Sequence, residues 1–600
     1  MSSLKDSIDI APTEKKTLLR LLKYYLPNTE IWAYGSRVKW TSRPASDLDL
    51  VAFASPEQKA AISKLREALE TSSLPFRVDL FIWDAVPETF RESIKEKHLV
   101  LQEPEKEEVG QIRDTEERMN WVNSTVGEFC PFAYGKSLPE KNREEGSIPV
   151  YGSNGIVGFH NSAYIANSGV IIGRKGSVGF IHFSEQDFWP IDTTFFVDKG
   201  TVSENRFCYY LLSTLGLKSM NFDAAVPGLN RDNAHALEIR IPDSEKDRKD
   251  LVEPLKTLDD KIALNRKLNE TLEGMAQALF QSWFVDFDPV KAKLAAVRHG
   301  CDPEKACMAA LSGKLRIPPG KPKYLGTPTS PSASSNTNAD EDVGAPSQLP
   351  TAEELDAAIA TLNTLSETQR SKLAQTATHF PATFQESELG LIPEGWGSVA
   401  LYDTADFVNG AAFKSNDFTD DKNAFPIIKI AELKQGISDQ TKYTKKDVKD
   451  RHRINKGDLV YSWSDSPSTS FEVFKWFGSE GWLNQHIFKI NTTSREQTVL
   501  VWLILKYLKP ELIRIAKNKQ TTGLGHVTVA DMKRLFVVWP DDKIMKVFGS
   551  LAIPIYEKHS AHIMESNTLA QLRDTLLPRL LSGELSVKKA KETVEAAVES

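Results

Sequence analysis

The chain has 600 residues, 40% of them apolar, and a formal net charge of −7. That length exceeds what one core supports, so about three to five domains are expected, and the charge excludes a polycation, leaving any nucleic acid to be met by local patches. Four cysteines exclude a disulfide framework, and Cys301 and Cys307, spaced C-x5-C with no second ligand pair nearby, argue against a zinc site.

At the front, MSSLKDSIDIAPTEKK lacks the apolar centre of a signal peptide. Ile31-Trp32-Ala33-Tyr34 reads as a strand and Gly35-Ser36 as its turn. In Ser46-Asp47-Leu48-Asp49-Leu50, two leucines alternate with two acids, which puts both carboxylates on one face of a strand. Arg77-Val78-Asp79-Leu80-Phe81 is a further strand with one more acid. Three carboxylates on neighbouring strands suit hard divalent cations, Mg²⁺ above all. Such ions can clamp a triphosphate and activate an attacking hydroxyl, and the Gly35-Ser36 turn offers backbone N–H groups to phosphates. The plainer reading is a strand end with solvated acids.

Residues 317 to 351, rich in Pro, Ser, Asn and Gly, cannot bury a core and read as a flexible linker. An Ala/Leu-rich helical piece is expected at 352 to 378. The two sides of the linker repeat each other weakly and in order. IPVYGSNGIVG (148–158) answers to FPIIKIAELKQG (425–436), and GVIIGRKGSVGFIHF (169–183) to GDLVYSWSDSPSTSFEVF (457–474). DFWPIDTTFFV (187–197) answers to GWLNQHIFKI (481–490), LEIRIP (237–242) to LFVVWP (535–540), and NETLEGMAQALF (269–280) to SNTLAQLRDTLL (566–577). Each copy is a β-rich head of short strands and Gly-rich turns followed by a helix. Val499 to Leu505, the most apolar run, is too short to span a bilayer, so a reduced, cytoplasmic protein without a membrane partner is expected.

The first helix carries Leu255, Leu258, Ile262, Leu272 and Leu279, with Asn265 and Asn269 in the same seam. The second carries Ile563, Leu569, Leu572, Leu576 and Leu580. This is a coiled-coil pattern with polar register-setters. Two matched helices in one chain most simply pair with one another. A helix over 250–284 spans about 50 Å, and the pair would hold two heads a set distance apart.

The pattern G-S, a polar run, D-x-D, then a later D resembles the minimal nucleotidyltransferases of the DNA polymerase β superfamily, over roughly residues 1 to 105. The resemblance implies metal binding and catalysis by Asp47, Asp49 and Asp79, with Gly35 and Ser36 on the nucleotide phosphates. Small members carry Arg-Gly where this chain has Lys39-Trp40. FQSWFVDFDPVKAK (280–293), SELGLIPEGW (387–396) and LRDTLLPRLLSGEL (572–585) resemble the specificity subunit of type I restriction–modification systems, from about residue 118 to 588. That implies two target-recognition domains reading a split double-stranded DNA site on paired antiparallel helices. The implied partners are methyltransferase subunits, which bring S-adenosylmethionine, and a translocating nuclease subunit; the specificity subunit itself is non-catalytic.

The fold expected is α+β and multidomain: a nucleotidyltransferase-like α/β domain (1–110), target-recognition domain 1 (111–246) and spacer helix 1 (247–295). Helical pieces with the linker (296–386), target-recognition domain 2 (387–542), spacer helix 2 (543–588) and a tail (589–600) follow. Residues 396 to 540 hold 21 Lys+Arg against 16 Asp+Glu; residues 118 to 245 hold 11 against 14. Phosphate contacts need cations, so the first head must gather its few on one face. GRKGSVG (173–179), with Arg174, Lys175 and Ser177, is its candidate DNA contact, or else a basic hairpin turn. In the second head Asn484, Gln485 and His486 suit base edges. The basic run 445–458 reads better as a solvated face, and the aromatic residues of WFGSEGW as core. The function expected is bipartite DNA recognition with recruitment of methyltransferase and nuclease. The alternative is a Mg²⁺-dependent transfer of nucleotide to a protein or RNA acceptor, with the heads as an addressing module.

Overall fold

A computed structural model of the protein describes residues 8–27, 29–43, 46–54, 58–70, 72, 74–83, 86, 91–92, 94–95, 97–102, 119–220, 228–317, 349–465, 470–519 and 525–599. Most of the expected linker (318–348) lies outside them. The chain divides into two bodies, Met1–Arg118 and Met119–Ser600.

In the first body, strands β1 (Ile31–Tyr34), β2 (Leu48–Ala52), β3 (Val78–Ile82) and β4 (Leu99–Gln102) form one sheet in the order β3-β2-β1-β4. β1 is antiparallel to β2 and β4, and β2 runs parallel to β3. Helices α1 (Pro12–Tyr25) and α3 (Lys59–Glu70) cover one face: Leu18, Leu22, Ile62 and Leu65 pack on Ile31, Ala33, Leu48, Leu50 and Leu80. Each fully buried aliphatic side chain there contributes about 1.5–3 kcal/mol. Period-two alternation then sends Asp49 and Asp79 to the opposite face. Gly35-Ser36, expected as a turn, leads straight into the single helical turn α2 (Ser36–Lys39).

The second body carries the two heads, and each contains a four-stranded sheet of the same order. In the first, strands 181–184, 169–173, 194–197 and 133–134 lie side by side; in the second, 472–475, 459–462, 487–491 and 406–409 lie in the same order. Ile148–Gly152 runs parallel to Trp189–Pro190, as Phe425–Ile428 does to Gly481–Leu483. Trp121–Thr125 pairs antiparallel with Glu238–Pro242, and Gly397–Ala400 with Phe536–Trp539. All five sequence correspondences thus fall on equivalent elements. They part around the parallel pair: Gly155–His160 is a strand beside it, whereas its counterpart Ile430–Gln435 is a helix, and in the second head Tyr443–Thr444 and Arg453–Ile454 flank the pair instead. Ile156 and Val157 favour extended backbone, while Ala431, Leu433 and Gln435 are strong helix formers and the Glu432 carboxylate accepts the N–H of Lys429 at 3.0 Å.

Each head leads into a helix of 40 residues, Glu245–Phe284 and Asp542–Leu581, about 60 Å long. The two pack against one another along their length. Asp259 pairs with Arg573 (2.6 Å), Lys261 with Glu565 (3.2 Å) and Asn269 with His562 (2.9 Å), so they run antiparallel. Leu255, Leu258 and Ile262 join Leu569, Leu576 and Leu580 in a core shared with the first head. Phe280, Trp283 and Phe284 join Ile544, Phe548 and Tyr556 in a core shared with the second. Both ends of the pair are therefore welded to a head by burial, and buried Asn265 lies between the two cores.

The piece expected as one helix over 352–378 is two, Ala352–Thr361 and Glu367–Ala377, because Ser366 opens a new capping box with Gln369. Together with Asp288–His299 and Pro303–Leu311 they pack on the second head. The apolar run 499–505 is buried within helix Arg495–Asn518, and no described helix is long and apolar enough to cross a membrane.

Candidate nucleotide site and nucleic-acid interface

The sheet of the first body brings Gly35, Ser36, Asp49 and Asp79 to one place. Asp49 stands directly across from Tyr34 on β1 and from Asp79 on β3. Gly35 takes a left-handed φ of +81°, and a Cβ there would collide with Oδ2 of Asp49. The carboxylate thus rests on the turn's bare backbone, which only glycine permits. Asp47 is exposed, just ahead of β2, and its loop is tied down by buried Arg37. The Arg37 guanidinium donates to the Ser46 carbonyl at 3.0 and 2.7 Å and to the Asp9 carbonyl at 2.9 Å, and it lies 4.0 Å over the ring of Phe76.

Burial, then the charges of Asp79 and Asp47, push the Asp49 carboxyl above the ordinary range. Burial, then the same carboxylates at positions 49 and 79, push the Tyr34 hydroxyl up to about 12. Asp79 is held by Arg77, with Nε 2.9 Å from Oδ1. Among the described residues no three His, Cys, Asp or Glu side chains are gathered closely enough to hold a metal ion. The oxygen donors of Asp47, Asp49 and Asp79, on adjoining strands and repelling one another, nevertheless fit Mg²⁺ in kind. Trp40 caps α2 with a left-handed φ of 57°, the conformation that a glycine at this place would adopt without strain.

In the heads, the two sets of candidate contacts occupy the same corner. The Arg174 N–H donates to the Thr193 carbonyl at 2.9 Å, as Trp463 does to His486 at 3.3 Å. Leu229 donates to Arg174 at 2.9 Å, as Val527 does to Trp463 at 3.1 Å. Ile191 donates to Tyr151 at 2.9 Å, as Asn484 does to Ile428 at 3.0 Å. Lys175 bridges to Gly228, and Ser464 pairs with His526. Arg174 and Trp463, Asp192 and Gln485, and Thr193 and His486 are therefore structural equivalents, each on one of three loops that meet at a head's corner.

The chemistry of the two corners differs. In the first, the guanidiniums of Arg174 and Arg231 each lie 5.1 Å from the ring of half-exposed Tyr134, and Lys175 is exposed beside them. Ser177 lies in the turn, its carbonyl tight against Gly173. This is a surface of forked donors, suited to phosphates and guanine edges. In the second, Gln485 and His486 are exposed, and the His486 ring lies 6.0 Å from that of Trp463, which with Asn409, His452 and His526 lines a cavity of about 640 Å³. The Asn484 Oδ1 accepts the His486 N–H at 3.4 Å, so its side chain is engaged locally. Within the basic run 445–458, Lys445 is paired with Asp421, Lys446 with Asp417, and Arg453 with Asp450 and Glu480. Trp476 and Trp482 are buried.

Tyr34, Arg37 and Arg77 in the first body, and Tyr134, Arg231, Trp463 and His526 in the second, were not singled out from sequence. Arg77 carried a signal, since it shares a strand face with Asp79. Arg231 carried none, because it reaches Tyr134 only through the fold.

A family model described as type I restriction modification DNA specificity domain matches residues 119–274 and 393–551. One described as polymerase beta, nucleotidyltransferase matches residues 16–107. Over 374 residues, 60% of this chain and 71% of the relative, the chain is 30% identical to the type I restriction enzyme HindI specificity subunit of Haemophilus influenzae. It is 21% identical over 404 residues, 65% of this chain and 71% of the relative, to the type I restriction enzyme MjaIX specificity subunit of Methanocaldococcus jannaschii. Over 100 residues, 16% of this chain and 88% of the relative, it is 40% identical to the probable protein adenylyltransferase MntA of Haemophilus influenzae.

Proposed function

Because this chain belongs to the type I restriction–modification DNA specificity family, and opens with a domain of the polymerase β nucleotidyltransferase family, we propose that it reads a two-part DNA site with the loop corners of its heads. The observation that carries this is the exact backbone correspondence of the two corners on heads welded to one antiparallel helix pair. One head reads one half-site, and the rod, rigid because both its ends are buried in head cores, sets the gap between them. Arg174 and Lys175 supply forked and point-charge donors in the first half-site; Gln485 and His486 supply amide and imidazole groups in the second. The helix pair and the heads recruit methyltransferase subunits, with their S-adenosylmethionine, and a translocating nuclease subunit, in the cytoplasm. Co-expression with the cognate methyltransferase followed by mapping of methylated adenines tests this. A two-part motif with a constant gap is expected; methylation scattered without such a motif overturns it.

The domain in front supplies a second activity within this reading: Asp47, Asp49 and Asp79 bind Mg²⁺, which, when bound, neutralises the nucleotide phosphates and activates the acceptor hydroxyl. Gly35 and Ser36 meet the phosphates with backbone N–H groups, and Arg37 holds the D-x-D loop in place. The reading in which the chain is first an enzyme, with the heads as its address, is not favoured, since the specificity family covers most of residues 119 to 551.

A further inference from the structure

The corners of the two heads share a backbone but not a filling. Tyr134 stands across from Phe195 in the first head, as Asn409 stands across from Phe488 in the second. Asn230 caps Arg231–His235 as Thr528 caps Val529–Arg534, which makes Arg231 and Val529 equivalent. In the first head the corner is closed. The guanidiniums of Arg174 and Arg231 each lie 5.1 Å from the Tyr134 ring, and Arg174 lies 5.8 Å from that of Phe195. In the second, the equivalent Trp463, Val529, Asn409 and Phe488 border the cavity of about 640 Å³.

The walls of that cavity include rings that are already pinned. Trp463 is stacked on Phe488, with ring centres 5.6 Å apart, and its Nε1 donates to the Asn409 Oδ1 at 3.3 Å. His452 Nδ1 lies 2.8 Å from the Asn409 carbonyl oxygen, and Arg451 Nε donates to the His452 Nε2 at 3.2 Å. Tyr402 is stacked on Phe407 at 5.7 Å. Rings held in place beforehand lose little freedom when a ligand stacks on them. Arg451 is exposed, and so is Lys533, which lies 5.4 Å over the Tyr402 ring. Aromatic walls beside exposed cations suit a nucleobase carried on its phosphates.

We propose that the second head takes one base of its half-site out of the duplex and stacks it against Trp463 in this cavity, while the first head, its corner filled, reads its half-site with the bases in place. This rests on the DNA-reading function proposed above. Extrusion costs pairing and stacking energy, which the aromatic wall and the neighbouring cations offset.

The test uses the complex of the full chain with its methyltransferase subunits, without S-adenosylmethionine, on duplexes carrying the mapped two-part site. Each base is kept in turn while its partner is replaced to make a mismatch, and binding is followed by fluorescence anisotropy. Methyltransferases extrude the base they modify, so the methylated adenines are left out of the scan. A mismatch makes extrusion easier, so at one position of the second half-site it is expected to tighten binding about tenfold. In the first half-site every mismatch is expected to weaken binding. Trp463→Ala should abolish the gain, and so should Val529→Phe, which fills the cavity without removing a wall; Trp463→Phe should keep part of it. If the parent binds its site no better than a scrambled duplex, the DNA-reading function itself fails. If site-specific binding stands but no mismatch tightens it, or the gain survives in both Trp463→Ala and Val529→Phe, the extruded base alone is overturned. Thermal stabilisation by free nucleosides that is lost in Val529→Phe, with no mismatch gain, assigns the cavity to a free ligand and overturns extrusion as well.

Discussion

Gly135 and Gly410 are the same residue in two heads. A Cβ on Gly135 would strike the carbonyl oxygen of Ile191, and a Cβ on Gly410 would strike that of Asn484. Each glycine donates its N–H to the strand that leaves the corner, to Thr194 at 3.1 Å and to Ile487 at 3.0 Å. Both let one loop press against another where the reading surface is built.

Gly135→Ala and Gly410→Ala are therefore expected to displace one corner each, at a cost of about 1–3 kcal/mol from overpacking. The helix pair should be untouched in both, giving an unchanged circular dichroism spectrum. Methylome mapping should show relaxation confined to one half-site, a different half for each variant.

Arg174→Ala and Lys175→Ala separate base reading from phosphate contact. Arg174→Ala should cost about 1–3 kcal/mol on the parent's site and relax specificity at one position. Lys175→Ala should weaken binding evenly across sequences and lower the slope of log K against log salt by about one. Filter binding over a salt series on parent and mismatched duplexes checks both.

Asn269 ties the two long helices together: its Nδ2 donates to the His559 carbonyl at 3.1 Å, and its Oδ1 lies 2.9 Å from His562 Nδ1. Asn269→Ala leaves both groups without that partner and should cost about 1–3 kcal/mol. Native-state hydrogen exchange is expected to show faster opening around 556–566, with the cores at either end still protected.

Burial, with Lys506 adding to it against the opposing pull of Glu273, holds His559 below its ordinary 6.5; burial and Lys558 hold His562 below it as well. Both bind protons more readily when unfolded, so the stability they contribute is complete above about pH 6.5 and is lost as pH falls through their folded values. Exchange protection at the middle of the rod, corrected for intrinsic rates, should drop between pH 7.5 and pH 5.5. The drop should shrink in His559→Gln.

Incubation of the full chain with labelled ATP and Mg²⁺ reads the front domain directly. Label transfer is expected in the parent and at least about 10²-fold less in Asp47→Ala or Asp49→Ala. Equal transfer in all three would remove the assigned role of these carboxylates.

The repeat, the paired helices and the D-x-D strand were legible in the linear order of residues because each depends on local periodicity. Alternating Leu48 and Leu50 set the face of Asp47 and Asp49, and the spacing of Leu255, Leu258 and Ile262 set a seam. The linear order also marked Arg174 in one copy and Gln485 in the other as binding groups. It did not show that their loops meet at the same corner: the repeat matches the segments of Arg174 and Trp463, but hydrogen bonds between distant strands set those loops against Thr193 and His486. Likewise Arg231 reaches Tyr134, and Arg37 reaches Asp9 and Ser46, through contacts that chain folding alone creates. Periodicity is a property of neighbours along the backbone, while a site is assembled from side chains whose proximity is decided by how sheets and helices bury their apolar faces together.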